Sequence, residues 1–285
     1  MRSADKTVMA HFARRTECLL IAAAISAVAP SAVEARTVSR PQHGYSIEVP
    51  DDWVEVPDAE LRAIVIATQK TPGKNGMVWD IAFQPATPDR PWLAYPYMVV
   101  QILPYRGFGL QRQLAENEFR GFIAAMANLD MEKVAKDALT PEASKAINSV
   151  KQGVPRLDTA ARRYFLPFAT TMQDIGPVRG QAYGFFGHDA MVQIGAFSET
   201  GEWATFGPLG QRIADSFKFD ATHQYNEQEA SITRASNVGR QAGALVGRSV
   251  IPIIVSGLVG WCLVQYARRY RRRYGRPPSS PPPLP

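Results

Sequence analysis

The sequence of 285 residues predicts an α+β domain built around a mainly antiparallel sheet, followed by a single C-terminal transmembrane helix. Three observations carry this prediction. Short runs of alternating or apolar residues, bounded by turn signals, predict strands on both sides of a helical segment. A second segment with helical spacing closes the domain. Residues 249–267 then form an uncharged run that ends directly in a cluster of arginines.

The N-terminus has the layout of a secretory signal peptide. Basic residues precede the short apolar run 18–29, and Val33 and Ala35 stand where a signal peptidase reads the chain. We expect cleavage after Ala35. An uncleaved N-terminal anchor is the alternative, and both interpretations place residues 36 to about 240 outside the cytoplasm.

Four strands are predicted in the first half of the domain. The first covers residues 45–49, where apolar and polar side chains alternate before the turn at Pro50 and the following Trp53. The other three strands are predicted over residues 62–69, 77–84 and 97–103, the last ending at Pro104.

The period then changes to that of a helix over residues 110–128, and residues 130–158 are expected to form an irregular or helical excursion. Strands return over residues 160–173, as one strand or as two separated at Pro167. Residues 180–186 and 190–198 flank a short turn and predict a hairpin. The closing helix is predicted over residues 202–217, with Pro208 either in its first turn or at a break.

Two of these segments resemble the PsbP-like and DcrB-like family. Residues 44–53 (GYSIEVPDDW) are similar to its opening strand, where GYSF precedes a proline and a tryptophan. Residues 203–218 (WATFGPLGQRIADSFK) are similar to its final helix and the SFK segment that follows. The resemblance covers residues 44 to about 220 and implies an α/β/α sandwich. It also implies a role in binding or assembly, and it transfers no catalytic residue.

The charge distribution argues against nucleic acid as a partner. The chain has a formal net charge of +6, yet residues 268–285 alone contain six arginines and no acidic residue. Residues 36–267 contain 22 basic and 23 acidic residues, so the domain is nearly neutral. A basic surface of the size that nucleic acid requires is therefore not expected.

No catalytic residue, metal ligand or cofactor is predicted. The two cysteines, Cys18 and Cys262, lie in the predicted signal peptide and span, which excludes disulfides and cysteine chemistry from the domain. Its histidines lack metal-ligand spacing. His188 and Asp189 form a conceivable acid–base pair, but a solvated turn explains them as well.

Two aromatic residues are candidates for a ligand or partner surface. Trp92 and Tyr95 lie in a proline-containing stretch, which favours a loop that exposes its side chains. Burial in the core is the alternative for aromatic residues near strands.

The C-terminal run has the length of a membrane span. Residues 249–267 form a helix of about 28 Å, close to the ~30 Å thickness of the hydrocarbon layer. The arginines that follow are expected to stay in the cytoplasm; they include Arg268, Arg269, Arg271, Arg272 and Arg273. Small residues four apart predict helix packing against a protein partner or a second copy, with a flexible linker as the alternative; they are Gly239, Gly243, Gly247, Ser256 and Gly260.

The predicted organisation has five parts: signal peptide 1–35, exported domain 36–220, juxtamembrane linker 221–248, transmembrane helix 249–267, and a basic, proline-rich cytoplasmic tail 268–285. This indicates a single-pass protein of a bacterial inner membrane with its domain in the periplasm. We expect a binding or assembly module that contacts the bilayer and a protein partner. An envelope hydrolase or ligand-processing enzyme with an unrecognised site is the alternative.

Overall fold

The computed structural model describes residues 34–69, 71, 78–108, 114 and 116–228. Residues 1–33 of the predicted signal peptide, the predicted transmembrane helix and tail, the small residues four apart and the arginine cluster lie outside the described residues. Glu34 and Ala35, at the predicted cleavage site, are described, and Ala35 begins the first strand. Among the helices of the described part, none has the length and apolar character needed to cross a bilayer.

Eleven strands form two sheets in the described part of the chain. In chain order they are β1 (Ala35–Arg40), β2 (Tyr45–Pro50), β3 (Trp53–Glu55), β4 (Val78–Pro85), β5 (Tyr97–Pro104), β6 (Ile147–Gln152), β7 (Arg156–Asp158), β8 (Arg163–Met172), β9 (Gly176–Phe186), β10 (Ala190–Glu199) and β11 (Lys218–Phe219). The large sheet has the order β3-β4-β5-β10-β9-β8-β6, and β7 also pairs with β8. The small sheet has the order β1-β2-β11. Every pairing of these strands is antiparallel.

Five α-helices accompany the sheets in the described residues: α1 (Asp58–Thr68), α2 (Glu116–Ala127), α3 (Met131–Ala138), α4 (Pro141–Lys145) and α5 (Trp203–Asp215). Helices α1 to α4 contribute to a core on one face of the large sheet, which we call the four-helix face. Helix α5 and strand β2 contribute to a second core on the other face, which we call the α5 face. The fold is therefore mixed α+β with a mainly antiparallel sheet, as predicted. One layer on the sheet consists of helices, and the other combines α5 with the small sheet.

Aromatic stacking joins the layers on both faces. On the four-helix face the rings of Phe119 and Phe186 stack with centroids 4.3 Å apart. On the α5 face Phe185 stacks on Phe217 at 4.3 Å. Stacked aromatic pairs stabilise a core by about 1 kcal/mol beyond the apolar area that they bury.

The strand predicted over residues 62–69 is wrong, because this segment belongs to helix α1. The buried side chains are Leu61, Ile64, Val65 and Thr68, which repeat at the spacing of one helical face. Ile66, between them, is 66% exposed. The β-branched run is therefore amphipathic with the period of a helix. Because the run is almost continuously apolar, this helical period was not recognised in the sequence.

The excursion at residues 130–158 is more regular than predicted, since it forms α3, α4, β6 and β7 in succession. Asp130 caps α3 by accepting a hydrogen bond from the backbone N–H of Lys133, and Thr140 caps α4 in the same way through Ala143. Such caps satisfy backbone donors that have no partner within the helix. They explain how two short helices form in a polar segment.

Pro167 does not divide the strand that contains it. The backbone N–H of Gly153 donates to the Pro167 carbonyl at 2.8 Å, at the break where β6 has ended and β7 has not begun. A strand residue directs its N–H and its carbonyl towards the same neighbouring strand. Proline has no backbone N–H to donate. At Pro167 this N–H would point to the break between β6 and β7, so no hydrogen bond between paired strands is lost.

Pro208 is neither in the first turn of its helix nor at a break, because α5 continues through it. Proline removes one backbone hydrogen bond of the helix. The buried residues Phe206, Gly210 and Ile213 hold the helix on the sheet on either side of Pro208.

We expect Gly184→Ala to destabilise the domain, because β9 passes so close to Tyr164 that a Cβ at Gly184 would lie 1.9 Å from its ring. Overpacking of this kind costs about 1–3 kcal/mol. Gly121→Ala is the matched control, since a Cβ there meets nothing within 4 Å. In a helix this change is neutral or stabilises by up to about 1 kcal/mol. Urea unfolding measures both variants, and equal effects would contradict the packing at Gly184.

Candidate interaction surface

The large sheet is covered unequally on its two faces. On β8 the alternate residues Tyr164, Leu166 and Phe168 are buried in the core of the four-helix face. The residues between them point to the α5 face and are half-buried or exposed. Helix α5 packs mainly on β2, β9 and β10. Among the described residues, the layer on this face reaches β8 at Arg163, which contacts Asp215 of α5, and at Phe165, which packs against the core of the α5 face.

This uncovered area, which we call the open sheet face, comprises side chains from four neighbouring strands. Its members share the side of the sheet that is opposite to the four helices. They are Ser149 and Lys151 on β6, Arg156 on β7, Phe165, Pro167, Ala169 and Thr171 on β8, and Arg179 and Gln181 on β9.

The open sheet face has an excess of positive charge. Lys151, Arg156 and Arg179 are exposed, and in the described part of the chain none of the three forms an ion pair. The carboxylates at the border are already bound, because Arg163 contacts Asp158 at 3.4 Å and Asp215 at 2.5 Å. The face therefore presents cations without matching carboxylates.

An aromatic ring holds one of these cations in place. The Arg156 guanidinium lies over the Phe165 ring at 5.9 Å from its centroid, and Arg163 lies over the same ring at 4.9 Å. The cation–π contact stabilises such an arrangement by about 0.5–1 kcal/mol at an exposed site. Arg156 is thereby oriented without losing its capacity to bind a carboxylate.

Trp92 and Tyr95, the two candidates from the sequence, lie mainly against the core of the four-helix face. Tyr95 is 8% exposed, its ring stacks on Tyr97 at 5.4 Å, and its hydroxyl contacts the Met172 sulfur at 3.5 Å. Trp92 is half-buried against the same core. Of the two, Trp92 retains exposed surface, and Tyr95 is a core residue.

The loop that carries these aromatic residues is fixed by a buried amide. Gln84 is 2% exposed, donates from Nε2 to the Pro91 carbonyl at 3.4 Å, and accepts from the Leu93 N–H at 2.5 Å. The proline-containing stretch does form a loop, but the hydrogen bonds to Gln84 hold this loop against the sheet.

A buried carboxylate connects the two sheets. Asp80 lies at an irregularity of β4 between Trp79 and Ile81, and such bulges redirect a side chain. Its carboxylate accepts a hydrogen bond from the Tyr45 hydroxyl and lies 3.1 Å from Nε2 of His43. Burial, and then the bond to Asp80, raise the pKa of Tyr45 far above its ordinary value, so the phenol remains a donor.

This arrangement is suited to joining parts of the fold. His43 and Tyr45 belong to the region of the small sheet, whereas Asp80 belongs to the large sheet. The carboxylate is 7% exposed and is also approached by Arg40 at 3.8 Å. Buried charges are stable when they are paired in this way. The sequence reveals Asp80 only as one acidic residue within an apolar strand.

The fold brings histidines that are distant in sequence to one end of the domain. The His188 N–H donates to the His223 carbonyl at 2.9 Å, and the His223 ring lies directly against Gly44. Gly44 has φ of +64°, and a Cβ there would lie 2.0 Å from Nδ1 of His223. Within the described residues, no group of three or more His, Cys, Asp or Glu side chains has the geometry to hold a metal ion.

The pair His188 and Asp189 lies in the tight turn between β9 and β10, as the hairpin prediction requires. Nδ1 of His188 is 2.9 Å from Oδ1 of Asp189, and the Asp189 side chain is 70% exposed. The solvated turn explains this pair.

A shallow groove of about 440 Å³ lies between α2 and the β6–β7 connection. Its lining is mostly apolar, and it comprises Arg120, Ile123, Ala124, Ala127, Val154, Pro155, Leu157 and Thr159. One charged side chain lines this groove. It does not contain the two converging titratable groups that would indicate hydrolytic chemistry there.

The comparisons with known proteins concern the fold. No family model matches the chain, and no curated protein matches it. Among solved structures, the chain is similar to that of cyanobacterial PsbP (CyanoP) from Synechocystis, with a TM-score of 0.38 and 15% identity over 67% of this chain and 95% of that chain. It is also similar to LpqN, which is involved in cell envelope biogenesis of Mycobacterium tuberculosis, with a TM-score of 0.31 and 14% identity over 66% of this chain and 91% of that chain.

A PsbP protein is thus among the solved structures to which the chain is similar. Similarity at these scores assigns neither a family nor a function to the chain.

The segment that follows β11, residues 220–223, is expected to lose stability at acidic pH. Hydrogen bonds from His223 and then Thr222 hold the pKa of the Asp220 carboxyl below its ordinary value. Because the folded pKa is the lower one, this stabilisation is present above the ordinary carboxyl pKa of about 4 and is lost as the pH falls through the lowered value.

We therefore expect Asp220→Asn to lower Tm at neutral pH, and the difference from the wild type to shrink between about pH 5 and pH 2. Thermal unfolding at several pH values measures this. A Tm difference that stays constant over that interval would show that the carboxylate does not stabilise the fold.

Proposed function

We infer that the protein is a membrane-tethered binding module of a bacterial envelope, which binds another protein through the open sheet face. Its exported α/β/α domain acts in the periplasm, and residues 249–267 anchor it in the inner membrane with the arginine cluster in the cytoplasm. The signal-peptide layout and the uncharged run followed by arginines support this topology.

The observation that supports binding is the open sheet face itself. A sheet face that is exposed to water in a stable domain is normally polar along its whole length. Here Phe165, Pro167 and Ala169 lie in a row on β8, bordered by basic side chains. Apolar and small residues surrounded by polar ones are typical of protein contact surfaces.

A tether also makes a weak contact effective. Confinement of both partners to one membrane raises their effective concentration, so a modest interface is sufficient for association. A module of this kind needs no catalytic group.

Site-specific photo-crosslinking in native membranes tests this proposal. A benzoylphenylalanine at Ala169 should give a discrete adduct with a second protein. The same residue at Lys133, which is exposed on α3, is the control and should not give that adduct. Failure to form an adduct at Ala169, or the same adducts at both positions, would contradict binding through the open sheet face.

A further inference from the structure

The three cations of the open sheet face occupy fixed positions in the strand register. Lys151 pairs with Ala169, and Ala169 pairs with Arg179, so these residues form one row across β6, β8 and β9. Paired residues point to the same face of a sheet. With strands about 4.8 Å apart, the backbones of Lys151 and Arg179 are about 10 Å apart.

The third cation lies in a different row. Arg156 pairs with Phe165, which precedes Ala169 by four residues on β8. At about 3.3 Å per residue, the two rows are about 13 Å apart. The contact of Arg156 with the Phe165 ring holds its guanidinium near its own row.

The β8 and β9 side chains between the two rows are uncharged. Pro167 and its cross-strand partner Gln181 lie there, and both are half-buried. Ala169 separates Lys151 from Arg179 with a single methyl group. A partner can therefore lie flat across the strands and reach all three cations.

From this geometry we propose that the open sheet face binds an acidic segment of a partner protein whose carboxylates are about 10–13 Å apart. This inference rests on the proposed function and names the chemistry of its partner. A compact anion can contact the Lys151–Arg179 row or Arg156, but it does not span both. Carboxylates seven or eight residues apart on a helix are separated by about 10.5–12 Å, which matches the rows.

Electrostatic binding of this kind depends on salt. The screening length is about 8 Å at physiological ionic strength, so each cation acts mainly on the carboxylate closest to it. The spacing of the charges, more than their total number, should then determine affinity.

Two labelled helical peptides of identical composition test the proposal. One has glutamates seven residues apart, and the other has the same glutamates in one contiguous block. Fluorescence anisotropy with the full-length protein in zwitterionic nanodiscs should give at least about tenfold tighter binding of the spaced peptide, equivalent to about 1.4 kcal/mol. Raising the salt concentration should weaken it.

Charge-reversal variants test whether the peptide binds to the open sheet face. The triple change Lys151→Glu, Arg156→Glu and Arg179→Glu should abolish binding of the spaced peptide. The control Arg62→Glu, Lys133→Glu and Lys145→Glu makes the same charge change at exposed residues of α1, α3 and α4 and should leave binding unchanged. If the first triple variant does not fold, the glutamine variants at the same three positions serve instead and should weaken binding.

Equal binding of the two peptides would overturn the proposal, as would equal loss in both triple variants. Binding to anionic vesicles that is as tight as to the spaced peptide, and lost with the same three cations, would assign the face to lipid and also overturn it. A crosslink at Ala169 that persists after the charge reversal would leave the proposed function intact and refute the acidic segment. Absence of that crosslink in the wild type would refute the proposed function itself.

Discussion

Strand β8 buries one face in the core of the four-helix face, whereas the side chains of its other face are half-buried or exposed, and this inequality defines the open sheet face. The four helices that precede β8 along the chain pack on one side of the sheet and share its core. The other side is covered by α5 and the small sheet, which lie over the strands at its centre and at its β3 end. Helix α5 has 13 residues, so it is about 20 Å long and cannot cover every strand.

The covered part of the α5 face depends on a polar link between the sheets. The small sheet has three strands, one of them only two residues long, and sheets of this size have little stability alone. Tyr45 and His43 connect it to the Asp80 carboxylate, while Tyr45 also stacks on Phe217 at 5.4 Å. The link thus fixes where the covering layer lies, and thereby where the open sheet face begins.

Alternating and apolar runs between turn signals correctly predicted six strands, which are β2, β4, β5, β8 and the hairpin of β9 and β10. The other five strands of the described residues, β1, β3, β6, β7 and β11, were not predicted. The failure at α1 has a simple cause: consecutive β-branched residues suit a strand, and the helical spacing of Leu61, Ile64 and Val65 was the better signal. The polar link through Asp80 could not be predicted, because a bulge depends on the register of two strands. The open sheet face could not be predicted from the sequence either. The alternation of polar and apolar residues in β8 does not reveal how far α5 extends across the sheet.

The candidates from the sequence illustrate the same limit. Trp92 and Tyr95 were correctly placed in a loop, but Gln84 draws that loop inward, and this contact is made by a residue on a different element. Nothing in the sequence of this nearly neutral domain singles out the three cations Lys151, Arg156 and Arg179. Their significance comes from the pairing of β6, β7 and β9 with β8.

Thiol labelling tests most directly whether the sheet is open on one side. In a protein in which Cys18 and Cys262 are replaced by serine, A169C places a thiol on the open sheet face, and A182C places one on β9 in the core of the four-helix face. A water-soluble maleimide should label the purified A169C protein rapidly and the A182C protein far more slowly. If the proposed partner binds this face, labelling of A169C should slow in native membranes. Equally slow labelling of both purified proteins would contradict the open sheet face and the function built on it.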